Sequence, residues 1–148
     1  MINFLNDIYY FASDKKNFGL LIFRIVLGLM FMWHGFPKLS GGPEKWAELG
    51  QVMSVYGITF VPALWGFLSA FAECIGGLLV FLGLFYRLAA ILLFGNLLVA
   101  FSSQMLQDKG LFKSSQSLED GFNFFAAFFI GPGRYSIDYY LNIDRQIK

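Results

Sequence analysis

Apolar positions along this chain come in long runs. From Phe18 to Phe36 the only charged side chain is Arg24, from Val61 to Phe85 it is Glu73, and from Leu88 to Met105 there is none. Runs of this length are what a helix needs to cross a bilayer. They predict spanning helices over about 18–36, 61–85 and 88–106. Gly35 suits the C′ position of the first helix, and Pro37 is expected to stop it. Tyr86 and Arg87 form a very short turn between the second and third. A fourth, shorter span is predicted over about 118–131, with Ser117-x-x-Asp120 as a capping box and "GPGR" (131–134) as its end. At 1.5 Å per residue it measures ~20 Å, so it requires a thinned bilayer or burial of its polar first turn. Amphipathic spacing predicts three interfacial helices. The first covers about 2–12. The second covers about 43–56, started by Pro43 and carrying Trp46, Leu49, Val52, Met53 and Tyr56. The third covers about 136–146, capped by Ser136. The expected fold is an all-α membrane protein: one domain over 1–148, with four transmembrane helices in a compact bundle.

Composition supports this picture. The chain is 57% hydrophobic and 20% aromatic but only 14% charged, against about 25% charged in soluble domains. A net charge of +1 carries no footprint for nucleic acid. The basic residues Lys15, Lys16, Arg87, Arg134, Arg145 and Lys148 fall on one side, with Arg24 close to it; Lys38, Lys45, Lys109 and Lys113 fall on the other. The positive-inside rule then places both termini in the cytoplasm. The first fifteen residues lack the order of a secretory signal. Cys74 is the sole cysteine, so the chain holds no C-x-x-C pair for dithiol chemistry. One histidine and one cysteine do not build a usual metal shell, and no metal is expected.

Each span carries a stripe of small or polar residues: Arg24, Gly28 and Gly35; Gly66, Ala70, Glu73 and Gly77; Ala89, Asn96, Ala100, Ser103 and Gln107; and Glu119, Asn123 and Ala127. Small residues let helices approach closely in lipid, and polar ones face the bundle interior. Helical rise puts Glu73 and Asn96 ~14 Å from the side carrying the termini, Arg24 ~9 Å and His34 ~24 Å. A carboxylate at mid-bilayer needs a partner or a proton. Two pairings compete for Glu73. Arg24 has the opposite charge but leans away, since side chains lean toward their helix N-terminus; His34 leans toward Glu73 from a greater height. Asn96 is a partner in either case. His34 and Glu73 are therefore the candidate proton-handling groups, and His34, Lys38, Glu73, Asn96 and Arg24 the candidate ligand-binding set. Each has a structural alternative: Glu73 as a bundle lock, His34 as a helix-end residue favoured by the dipole, Lys38 as an outer-interface lysine and Arg24 as a snorkelling anchor.

The ordered set Arg24-x-x-x-Gly28, "HGFPKL" (34–39), "GGPEKWAELG" (41–50), Glu73-x-x-Gly76-Gly77, Gly83 with Arg87, and "GPGRYSID" (131–138) resembles the DoxX family of small bacterial membrane proteins with four spanning helices. The resemblance implies a place in the bacterial inner membrane. It also implies an association with thiosulfate:quinone oxidoreduction or with membrane oxidoreductase complexes handling thiol or oxidative stress. The residues matching the family pattern that could serve a site are Arg24, His34, Lys38, Glu73 and Arg87. The leading expectation is a redox-associated subunit that binds a quinone or other small amphiphile and works with a partner oxidoreductase. It would be at most a subunit of an enzyme, since the chain shows no redox motif of its own. The alternative is a non-enzymatic assembly factor or lipid-binding scaffold. A transporter would have to form a homo-oligomer.

Overall fold

The computed structural model describes residues 15–144 together with Asn6, Tyr10, Phe11 and Ser13. Among these residues the regular elements are all helical: α1 (Lys16–Ser40), α2 (Gly42–Gly50) continuing into a 3-10 segment (Gln51–Tyr56), α3 (Pro62–Leu82), α4 (Tyr86–Leu106), α5 (Leu111–Ile130) and the short α6 (Ile137–Tyr140). Of the three interfacial helices, the one expected over 2–12 lies outside the described residues, apart from Asn6, Tyr10 and Phe11. The final one is seen only as α6, with Ser136 Oγ accepting from Tyr139 N as its cap.

Three helices, α1, α3 and α4, are long and apolar enough to cross a membrane. This corrects the expectation of four. Helix α5 has 20 residues, but Lys113, Glu119 and Asp120 make its first half too polar to qualify. It also starts earlier than the capping signal indicated. Ser117 and Asp120 lie inside it, and the first turn is closed by Ser114 Oγ donating to Gly110 O at 3.0 Å. The earlier start changes its buried face. Glu119 and Asn123 are exposed, and Ser114, Gly121, Phe124 and Ala127 are buried instead.

Helix α1 does not stop at Pro37. Proline removes one amide donor from the ladder, yet the helix runs on to Ser40, whose Oγ donates to Phe36 O at 2.9 Å. Gly35 is no terminator. A Cβ there would collide with the backbone of Cys74, so Gly35 is the point where α1 rests on α3. The same contact recurs two turns earlier. A Cβ on Gly28 would lie 2.8 Å from Gly77 O, and one on Gly77 would lie 2.8 Å from Met32 N. Gly50 of α2 and Gly66 of α3 meet in the same way: a Cβ on either would collide with backbone of the other element. Helices without side chains at their crossing gain dispersion contact in lipid, where no hydrophobic drive exists between them.

Helix α4 packs between α3 and α5, and α5 meets α1 through side chains. The core there is formed by Phe31, Val80, Tyr86, Ala89, Leu93 and Phe124 among others, with Phe31 and Phe124 edge to face at 4.8 Å between ring centres. The end near Gly83 is fastened by Asp138. Its carboxylate accepts from Phe85 N and Tyr86 N, both at 2.8 Å, satisfying two free amides at the start of α4. Arg134 N donates to Asn17 Oδ1 at 3.1 Å, so the start of α1 and the segment after α5 lie at the same end of the bundle.

Candidate functional site

Helices α3 and α4 touch where Gly76 faces Leu93 (a Cβ on Gly76 would lie 3.1 Å from Leu93 Cγ). Beyond that contact they flank a half-open cavity of about 540 Å³. Its walls are mostly apolar: Leu49, Val52 and Met53 from the α2 segment, Trp65, Leu68 and Ala72 from α3, and Ile91, Leu92 and Val99 from α4. Polar groups converge on it from three helices. Lys38, Glu73 and Asn96 all line it, with Ser69, Ser103, Gln104 and Lys109.

One wall carries an ion pair. Lys38 Nζ donates to Glu73 Oε2 at 2.5 Å, and Asn96 Nδ2 to Glu73 Oε1 at 3.4 Å. The Glu73 side chain is 11% exposed and that of Lys38 34%. The pair thus has a buried anion and a cation reaching down from the rim. Neither pairing weighed from the sequence for Glu73 forms, and helix geometry explains why Lys38 takes the place. Positions 24, 28, 31, 35 and 38 repeat every three or four residues, so all five face one way. The four that precede Lys38 are the buried residues of α1. Because α1 continues through Pro37, Lys38 is held on that face, one turn beyond the Gly35 contact. Side chains lean toward their helix N-termini, and α1 and α3 run in opposite directions, so Lys38 and Glu73 lean toward each other.

His34 sits one residue before Gly35 and is therefore rotated by about 100° from this face. It is exposed, does not line the cavity, and interacts electrostatically with Asp120 of α5. Arg24 lies roughly 21 Å from Lys38 along α1. It is fully buried at the opposite end, where Nη2 donates to Tyr135 O at 2.5 Å beside Gly83. Arg87 is also away from the cavity. It pairs with Asp144 at 3.0 Å and donates to Phe128 O at the end of α5. The structure brings together Lys38, Glu73 and Asn96, and leaves Arg24, His34 and Arg87 outside.

Sequence reasoning missed the contribution of the α2 segment. It was expected on the membrane surface, but it forms a wall of the cavity. Tyr56 fastens it there, its hydroxyl donating to Val99 O at 3.1 Å and lying 2.5 Å from Ser102 Oγ. Ser69 and Trp65 were also missed, although 65, 69 and 73 fall at i, i+4 spacing on one face of α3. Among the described residues, no group of three His, Cys, Asp or Glu side chains is arranged to hold a metal ion.

Three membrane-length apolar helices, with a half-open cavity that holds an ion pair, define a small polytopic membrane protein. The DoxX family model matches residues 19–105, well over half of the chain. The chain belongs to the DoxX family. A protein of Bacillus subtilis (strain 168) named "Putative oxidoreductase CatD" is 31% identical over 74 residues, a stretch covering 50% of this chain and 50% of that protein. The match thus spans about half the length of that relative. No solved structure matches the chain.

Proposed function

We propose that this protein is a redox-associated subunit of the bacterial inner membrane that binds a quinone, or a small amphiphile of the same shape, in the Lys38–Glu73–Asn96 cavity. It would work with a partner oxidoreductase, as the name of the Bacillus relative also suggests. The single observation behind this reading is the half-buried ion pair at one wall of a large, mostly apolar cavity. Ligand sites have this form, with apolar walls and a few convergent polar groups, in volumes of about 300–1,000 Å³. The chain folds as one domain in this reading. Helix α5 returns the chain along α4 to the end where it started, without being a fourth apolar span. Both termini lie on the cytoplasmic side, consistent with the Asn17–Arg134 contact and the excess of basic residues at that end.

The residues suit such a ligand. Leu68, Ala72 and Leu92 would flank a flat ring held there, and Lys38 would be the donor to its carbonyl oxygen. Glu73 holds the Lys38 amine in place, and Asn96 contacts the second carboxylate oxygen. A bound quinone supplies two-electron, two-proton chemistry. Were a quinone bound, Lys38 would be the group placed to donate to a carbonyl oxygen and Glu73 would orient it, while the protons consumed would come from water at the exposed Lys38 side and the electrons from the partner. His34 stands outside this arrangement.

The test is gentle purification in detergent, followed by mass spectrometry of extracted lipids and by titration with a decyl-substituted benzoquinone. Wild-type protein should carry or bind the quinone. Lys38→Met and Glu73→Gln should each weaken binding. If wild type binds none, the reading fails. A stoichiometric protein partner retained by the Glu73→Gln variant, with no quinone bound, would instead identify an assembly factor.

A further inference from the structure

Among the described residues, two helical glycines, Gly19 and Gly95, have no packing neighbour to explain them, and of the two only Gly95 lines the cavity. Gly28, Gly35, Gly66, Gly76 and Gly77 all sit where a Cβ would press on a neighbouring helix. Gly95, in the middle of α4, does not: a Cβ there would meet nothing within 4 Å. A mid-helix glycine lowers helix stability, so close approach of some other molecule is its usual reason. Gly95 is exposed and lines the cavity, one residue before Asn96. The cavity-lining side chains beside it, Ile91, Leu92 and Val99, are apolar and exposed on the outer surface of the bundle. Gly95 lies ~14 Å along α4 from Tyr86, a depth at which that outer surface meets acyl chains and not water.

We infer that Gly95 is the threshold of a lateral portal, through which the apolar tail of the ligand passes from the bilayer into the cavity. This rests on the proposed quinone-type site and narrows its ligand class. The head is uncharged, with a carbonyl or hydroxyl, because Lys38 and Glu73 already neutralise each other and a charged head would have to break the pair. The tail is a single chain, lying across the bare backbone of Gly95 at the point where a side chain would block it.

The experiment uses the full chain in phosphatidylcholine nanodiscs. Gly95→Leu fills the threshold and favours helix. Gly95→Ala narrows it only slightly. Gly19→Leu is the matched control, since a Cβ there also meets nothing within 4 Å and Gly19 lies outside the cavity. Decyl-benzoquinone should bind Gly95→Leu about tenfold more weakly than wild type, with a smaller effect in Gly95→Ala. Gly19→Leu should match wild type, and a benzoquinone without the tail should discriminate less between the variants. A second readout needs no quinone. In a Trp33→Phe background, quenching of Trp65 by phosphatidylcholine brominated along its acyl chains should be largely lost in Gly95→Leu. The Trp65 signal is taken as the difference from the Trp65→Phe variant. Unchanged quenching overturns the portal, whether or not quinone binds. Loss of quenching in Gly95→Leu, with no quinone bound by wild type, keeps the portal and overturns the quinone reading. A Gly95→Leu protein that changes oligomeric state by light scattering, with quenching intact, assigns Gly95 to an interface between copies and overturns the portal.

Discussion

Two glycines of similar setting should respond to alanine in opposite directions. Gly66 and Gly95 both lie within apolar, membrane-length helices. At Gly66 the added Cβ would collide with the carbonyl of Trp46 and lie 2.9 Å from Gly50 N. These neighbours are backbone, so no rotamer change relieves them. Helix α2 would have to lift from α3 by more than an ångström, opening contacts along the crossing. Overpacking of this kind costs about 1–3 kcal/mol, and a backbone-to-backbone clash belongs at the upper end. At about 3 kcal/mol the folded-to-unfolded ratio falls on the order of 150-fold. Gly95→Ala meets no atom and recovers helix propensity of about 0.8–1.0 kcal/mol. Reversible unfolding in mixed micelles, followed by circular dichroism as the denaturing detergent is raised, measures both. Gly66→Ala should unfold earlier than wild type, and Gly95→Ala at the same point or later. A Gly66→Ala protein as resistant as wild type would refute the close crossing of α2 on α3. Equal losses at both positions would refute the distinction between a packed and an open glycine.

Other consequences follow from the ion pair and the caps. Lys38→Met strands the more buried member of the pair and should destabilise by about 3 kcal/mol, whereas Glu73→Gln leaves a lysine able to reach the interface and should cost less; the double variant should recover most of the loss in the same unfolding assay. His34→Ala should leave quinone titration unchanged, since His34 does not line the cavity; a weakened titration would return His34 to the site. Asp138→Ala removes the acceptor for Phe85 N and Tyr86 N and should cost about 1–2 kcal/mol, seen as faster amide exchange in the first turn of α4. Tyr56→Phe loses the bond to Val99 O, while Ser102 Oγ keeps its 2.7 Å bond to Leu98 O; the cost should stay near 1 kcal/mol, with increased protease access to the α2 segment.

The sequence by itself determined the local features: that the chain is membranous and helical, where three apolar helices run, and which faces of α1, α3 and α4 are small or polar. Those properties repeat along the chain at the helical period, so a single strand of text carries them. The stripe through Arg24, Gly28 and Gly35 is the face that α1 turns to the interior, and Glu73 and Asn96 were matched in depth by counting residues. Only the tertiary structure decided the partners. Gly35 and Pro37 read as a stop signal, but packing of Gly35 on Cys74 holds α1 together past the proline and carries Lys38 to Glu73. Ser117 and Asp120 read as a cap, but burial of Phe124 against Phe31 sets a different phase for α5. His34 missed the carboxylate by one residue's rotation. Which side chain meets which depends on how two helices are turned and shifted against each other. That relation is fixed by contacts such as Gly66 on Gly50, between residues whose spacing in the sequence says nothing of their distance in space.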